Sequence, residues 1–223
     1  MNFDLFPLWN SLRIAFISSL IVTFLGVVIS YRVSRFHPVL KGVLDVFFTL
    51  PLVLPPTVTG CFLILLFGVN SPLGKLLQMI GVKIVMTWYG GIIASAVVSF
   101  PLMYRASMAS FEAFNEELAE SAYILGKTER NVFWKIRVPN CRQGITAGAV
   151  LSFARALGEY GATSMLIGYT PGRTATVSTT VYQLWRTNNE KEALIWGIIN
   201  IGISAIVLLG LNILEHRQKK RRQ

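Results

Sequence analysis

The sequence predicts an all-α, polytopic membrane protein, and three observations carry that reading. Of 223 residues, 53% are hydrophobic and 14% are charged, against about 25% charged in a soluble domain. The apolar residues gather into runs near the ~20 residues a helix needs to cross ~30 Å of hydrocarbon. The Lys and Arg residues behind a formal net charge of +10 fall mainly between those runs and at the C-terminus. A cytosolic enzyme and a disordered chain are both disfavoured. Helices close their own backbone hydrogen bonds in lipid, and the ~10-residue alternating strands of an outer-membrane barrel are not seen.

Five spans are expected. Residues 1–11 lack a basic n-region and contain Asp4, and the apolar run after them is too long for a signal peptide and has no A-x-A end, so the first span, 12–33, reads as retained. The second span covers 43–67 and carries Pro51, Pro55 and Pro56. Residues 71–81 place Leu73, Leu76, Leu77 and Ile80 at helical spacing, which predicts a short helix lying in the interface. The third span, 88–108, contains Pro101, and the fourth, 145–167, contains Arg155 and Glu159. Residues 176–186 are richer in Ser and Thr and less decisive; a sixth, re-entrant element between Gly168 and Lys191 would break the parity of five. The fifth span is 193–214. No internal repeat relates two halves.

Charge sets the orientation. Thirteen basic residues fall on one side, in the loops after spans one and three and in the C-terminal cluster His216 to Arg222, against five on the other: Lys75, Lys83, Arg173, Arg186 and Lys191. The positive-inside bias places the larger set in the cytoplasm, with the N-terminus outside and the C-terminus inside. Basic clusters punctuating apolar runs suit a cell-membrane protein better than a nucleic-acid partner. Cys61 and Cys141 are far apart and show neither metal spacing nor a disulfide framework, so no metal site is expected.

Residues 111–140 form the one long cytoplasmic loop, and they predict a helical hairpin. Asn115 is an N-cap, with Glu116 and Glu117 in the first turn. Phe111, Phe114, Leu118, Ala122 and Leu125 recur at three- and four-residue steps as an apolar stripe. Gly126 stops this helix, Thr128 caps a second one, and Pro139 ends it. A loop of this length with its own caps reads as a docking element. Gly126-Lys127-Thr128 imitates the end of a phosphate-binding loop, but Ser121 stands where that motif needs glycine, and a helix rather than a strand precedes it. ATP, if used, binds another subunit.

Glu120-Ser121-Ala122, three residues, Gly126, nine residues, then Ile136-Arg137-Val138-Pro139 resembles the EAA loop of permease subunits in bacterial ABC importers. Ser121 replaces an alanine of that pattern and Val138 a leucine. The resemblance implies a type I ABC importer permease fold with about five transmembrane helices, forming a single domain over 1–223. It also implies a coupling loop in which Glu117, Glu120, Ser121, Ala122, Gly126, Ile136 and Pro139 serve docking to a cytoplasmic ATPase. Leu50 to Gly60, Ser99 to Met103, Phe153 to Thr163 and Pro171 to Thr174 resemble the molybdate branch of that family, with sulfate permeases as close relatives. Expected partners are a cytoplasmic ATP-binding subunit, an extracytoplasmic oxyanion-binding protein, a second copy of the chain and the lipid membrane, with no nucleic acid. The chain itself is expected to hold no cofactor and to catalyse no covalent chemistry.

Molybdate is a tetrahedral dianion, so a path through lipid must offer donors without binding so tightly that release stalls. The candidates are Pro55, Pro56, Thr57, Thr59, Ser152, Arg155, Glu159 and Tyr160. Arg155 and Glu159 lie well inside the fourth span, are four apart and so are expected to share a helix face. They either pair structurally, the favoured reading, or set Arg155 against the anion. The prolines either kink the second span for packing or break it into a path-lining segment. The small residues Gly90, Gly91, Ala94, Ser95 and Ser99, and Gly144, Ala147, Gly148 and Ser152, are expected to pack helices closely. A stand-alone secondary transporter would need coupling carboxylates in several spans, and Glu159 is the one at mid-depth. A membrane scaffold would need neither mid-depth prolines nor paired charges.

Overall fold

A computed structural model describes residues 4–220, with side chains described through 210. The C-terminal basic cluster therefore lies outside the described side chains, and Arg221 and Arg222 lie outside the described residues altogether. Every regular element among the described residues is helical.

The first helix, α1 (Phe6–Ser34), has Pro7 in its first turn, where a missing N–H costs nothing, and Arg32 in its last turn, facing the negative end of the helix dipole. Helix α2 (Pro38–Val53) and helix α3 (Pro56–Phe67) occupy the second predicted span, and they meet at 111° rather than running on. The cause is local. A residue before proline is pushed out of the helical region, and Leu54 and Pro55, each followed by proline, are extended at ψ 138° and 135°. The short interfacial helix is α4 (Pro72–Met79), capped by Ser71, whose Oγ accepts the N–H of Gly74 at 2.8 Å. Of its predicted apolar face, Leu77 packs on the core, while Leu76 and Ile80 are exposed.

Helix α5 (Trp88–Glu112) is the central pillar and carries Pro101 without a break in its assignment. The cytoplasmic segment forms α6 (Glu116–Ile124), α7 (Glu129–Val132), a π-helical turn Phe133–Arg137, and α8 (Val138–Asn140). The fourth predicted span is α9 (Arg142–Leu157) followed by α10 (Gly161–Ile167). Helix α11 (Val177–Arg186) opens with a reciprocal cap between Thr176 and Thr179. Helix α12 (Glu190–Lys220) completes the chain.

Two sequence expectations are corrected here. The fourth span is broken where one continuous helix was expected, and the proline run breaks the second span, one of the two readings it allowed; among the described residues three helices are individually long and apolar enough to cross a membrane, or four if the bent α2–α3 pair counts as one. The second hairpin helix does not end at Pro139. A π-helical turn precedes it, and the helical run continues one residue past Pro139, through α8, to end at Asn140.

The core lies where α1, α5 and α9 pack. Small residues set the spacing, as expected: a Cβ on Gly91 would stand 2.8 Å from Ile14 Cδ1, and one on Gly148 would stand 2.8 Å from Ala106 Cβ. The buried Asn10 donates from Nδ2 to the Ala175 carbonyl at 3.0 Å, and Ser11 Oγ accepts the Val177 N–H at 2.9 Å. These two bonds tie the start of α11 to the start of α1.

Candidate functional site

The hairpin folds as its caps predict. Asn115 accepts the Glu117 N–H at 3.0 Å, Thr128 Oγ1 accepts the Asn131 N–H at 3.4 Å, and Gly126 takes φ +73° between them. That left-handed backbone suits glycine.

The face of α6 that packs differs from the predicted stripe. Ala119 and Ala122 are buried with Val132 against Phe114 and Ile136. Leu118 is 48% exposed and Leu125 76% exposed, and neighbouring Ile124 is 87% exposed. Phe111, Phe114 and Ala122 of the stripe do pack, but Leu118 and Leu125 do not, because alanine lets α6 sit close on the returning chain, which turns the larger side chains outward.

The loop residues thus separate by task. Ala122 and Ile136 build the hairpin's small core and Gly126 its turn. Glu117, Glu120 and Ser121 are exposed, although the Ser121 hydroxyl donates back to the Glu117 carbonyl at 2.8 Å. Pro139 is exposed at the base. Ile124 and Leu125, which the sequence pattern did not single out as surface residues, make the apolar tip.

A polar clasp that sequence spacing did not reveal fixes this hairpin to the membrane helices. Arg137 has a side chain 6% exposed, and it donates from Nη1 and Nη2 to Glu116 Oε1 and Oε2 at 2.6 and 2.5 Å. This two-point fork is the strong geometry for a guanidinium–carboxylate pair. The fork holds the Glu116 carboxyl below its usual range, and its hydrogen bonds raise Arg137 despite burial. The guanidinium carbon lies 4.9 Å from the Phe114 ring centroid and 5.5 Å from that of Tyr31 on α1. Tyr31 also meets Phe133 at 4.4 Å between centroids, and Arg35, just beyond α1, pairs with Glu129. Glu116 is 21 residues from Arg137, so only the folded hairpin brings them together.

The second site is a crossing of the two broken spans. Helices α3 and α10 pack through glycines: a Cβ on Gly60 would stand 2.9 Å from Ala162 Cα, and one on Gly161 would stand 2.8 Å from Pro56 Cβ. This brings Pro56 and Thr57 against the 159–161 segment. Pro55 and Thr57 are exposed, Pro56 is half-buried, and Thr59 is buried in the crossing.

Glu159 is not on α9, which stops at Leu157, so the two charges do not share one helix. The reason is that the helix breaks after Leu157, and Glu159 lies in that break just ahead of α10. Its Oε1 accepts the Ala162 N–H at 2.7 Å, while its Oε2 lies 2.5 Å from Arg155 Nη1. The Glu159 side chain is 1% exposed and that of Arg155 is 30% exposed. The paired carboxylate is locked inside, and one edge of the guanidinium stays open. Ser152 is fully buried and donates to the Ser99 carbonyl at 3.3 Å, which is a packing contact between α9 and α5. Tyr160 stacks obliquely on Tyr182 at 5.1 Å and lines a cavity of about 400 Å³ with Ser178, Trp185 and Asn200. No cluster of metal-ligating side chains occurs among the described residues.

Comparison with known proteins agrees with this architecture. Residues 22–220 match the family described as "Binding-protein-dependent transport system inner membrane component". The putative molybdenum transport system permease protein YvgM of Bacillus subtilis (strain 168) is 37% identical over 203 residues, covering 91% of this chain and 89% of the relative. The molybdenum transport system permease protein ModB of Escherichia coli (strain K12) is 36% identical over 209 residues, covering 91% of each chain. A probable sulfate transport system permease protein, cysT of Chlorokybus atmophyticus, is 30% identical, covering 92% of this chain and 72% of the relative.

Among solved structures, a bacterial ABC transporter involved in import of the acidic polysaccharide alginate superposes with TM-score 0.77 at 18% identity, covering 96% of this chain and 79% of that one. The MetNI methionine ABC transporter superposes with TM-score 0.72 at 12% identity, covering 95% and 94%. At these identities the likeness speaks for the fold. The chain belongs to the binding-protein-dependent transport system inner membrane component family, and is a multi-pass inner-membrane permease subunit of an ABC importer rather than an enzyme.

Proposed function

We propose that this permease passes molybdate into the cytoplasm. It works as a symmetric pair of copies, with the hairpin docked on a cytoplasmic ATP-binding subunit and an external oxyanion-binding protein delivering the cargo. ATP and its cofactor chemistry belong to the partner subunit; this chain contributes none. The N-terminus lies outside and the C-terminus inside.

The observation that carries the mechanical half is the hairpin. It combines a base clasped by Arg137 with an apolar tip, Ile124 and Leu125, that stays exposed among the described residues. Closure of two ATP-binding subunits would pull both tips, and the clasp to Tyr31 and α1 would pass the displacement to the spans. The cargo half draws on the molybdenum-transport relatives and on the α3–α10 crossing. Leu54 and Pro55 interrupt the helix there, with Pro56 and Thr57 opening α3, and the open edge of Arg155 offers a cationic donor whose charge Glu159 partly offsets. That balance favours passage over retention of a dianion. Sulfate is the second reading, supported by the sulfate-permease relative.

The test is uptake of labelled molybdate into proteoliposomes containing the chain, its ATP-binding subunit and its binding protein. Unlabelled tungstate and sulfate serve as competitors, and Glu120→Arg as the uncoupled comparison. Molybdate uptake that needs ATP, resists excess sulfate and drops about tenfold or more in Glu120→Arg is expected, a loss the size of one interface hot spot. Uptake dominated by sulfate would transfer the assignment to that anion.

A further inference from the structure

Helix α1 has 29 residues and so is about 43 Å long, more than the ~30 Å of hydrocarbon it crosses. Its last turns therefore stand at the boundary with the headgroups. Along its outer side Leu20, Ile21, Phe24 and Leu25 are 57%, 42%, 60% and 43% exposed. Leu20, Phe24, Val28 and Arg32 follow one another at four-residue steps, so they form one line on the helix surface.

At the end of that line the hairpin folds back and borders an open cavity of about 810 Å³. One wall is Val28, Arg32, Arg35 and Phe36, and the other is Glu129, Arg130, Phe133 and Trp134. Three guanidinium groups face one carboxylate, and Arg35 already holds it. Arg32 and Arg130 have no ion-pair partner among the described residues. The cavity thus carries surplus positive charge at headgroup depth, beside half-exposed aromatic rings of the kind that favour the interface, and it opens onto an apolar track descending into the bilayer.

We propose that this cavity binds an anionic glycerophospholipid, with its phosphate between Arg32 and Arg130 and an acyl chain along Val28, Phe24 and Leu20. A soluble phosphate compound would use the arginines and leave the track without purpose. An acidic segment of a cytoplasmic protein would use the same arginines but could not follow the track into hydrocarbon. A lipid uses both. Once seated, it bridges the packed helix α1 and the returning arm of the hairpin, so the charge of the surrounding lipid bears on how firmly the hairpin is held.

Trp134 lines the cavity and reports on it. The full chain is placed in phosphatidylcholine nanodiscs containing either brominated phosphatidylglycerol or brominated phosphatidylcholine. The Trp134 contribution to quenching is the difference between the parent and Trp134→Phe. Phosphatidylglycerol is expected to be preferred about thirtyfold, the scale for two basic residues near an anionic headgroup. Arg32→Gln with Arg130→Gln removes the preference, and Arg32→Lys with Arg130→Lys keeps most of it. All variants should melt close to the parent, because neither arginine has an ion-pair partner among the described residues and a helix-end charge contributes only about 0.3–1 kcal/mol.

Equal quenching by the two lipids, or a preference that survives the double glutamine variant, overturns the proposal. So does displacement of the lipid by millimolar inorganic phosphate, which marks a soluble-anion site. Loss of the preference on adding the ATP-binding subunit, with weaker association of that subunit in the double variant, marks a protein dock and overturns it too.

Discussion

Arg137 holds the hairpin by a forked pair with Glu116, and the pair's response to pH follows from the direction of its shift. The Glu116 carboxyl is held below its ordinary value. Its contribution is therefore complete above the ordinary carboxylate range near 4.3 and is lost as pH falls through the lowered value. Hydrogen-exchange protection of α6 should be flat between about pH 8 and 5 and should fall only under about 4. Arg137→Met should remove about 2 kcal/mol of that protection at neutral pH, the scale of hydrogen bonds to a charged group.

Gly126 gives a cleaner test, because a Cβ there meets nothing within 4 Å. Gly126→Ala should cost about 1–2 kcal/mol through backbone strain alone, and Gly126→Asn should cost less, both read by melting of the purified chain. The cap glycine and the two N-caps were legible in sequence, because capping is a local property. The Glu116–Arg137 fork was not, because it is made by tertiary packing across 21 positions.

At the scale of elements, the broken spans govern the membrane half. The run Leu54-Pro55-Pro56 announces a break by its chemistry, and the structure shows one. The break at 158–160 was not read, since Gly158 amid apolar residues looks tolerable in a span. What decides it is Glu159, which caps α10 instead of extending α9.

Glu159→Gln keeps an acceptor for the Ala162 N–H and should fold, while Glu159→Ala should lose about 1–3 kcal/mol by leaving that donor unmet. Detergent melting temperatures distinguish the two. At the crossing, Gly161→Ala places a Cβ 2.8 Å from Pro56 Cβ and should destabilise by about 1–3 kcal/mol through overpacking. The same substitution at Gly172, also open on its Cβ side, should act only through its φ of +69°. The apolar stripe of α6 misled sequence reading for a related reason. Periodicity marks which residues share a face, but small alanines, not large leucines, determined which face packs.

For the whole molecule, the number of spans and the orientation are separate matters. The apolar runs coincide with helices, α1 beginning at Phe6 rather than at residue 12. They could not say which runs stay continuous, because hydropathy is blind to backbone breaks. Orientation rests on charge bias and is open to direct labelling. In a Cys61→Ser background, Cys141 stays silent, since it is buried and its thiol is pushed up by that burial. Lys127→Cys should then react with a membrane-impermeant maleimide only after the cells are opened, and Arg173→Cys should react in intact spheroplasts. The reverse pattern inverts the topology.

The central claim is that the tip of α6 and its turn is the handle that an ATP-driven partner grips. It is tested most directly by the affinity of the ATP-binding subunit for the detergent-solubilised full chain, with Ile124→Glu and Leu125→Glu compared with the parent. Both side chains are exposed and support no core, so melting should not change. Association should weaken about tenfold or more in each, the effect of removing an apolar anchor from an interface. Unchanged association in both variants, with the chain folded and transport intact, would contradict the account.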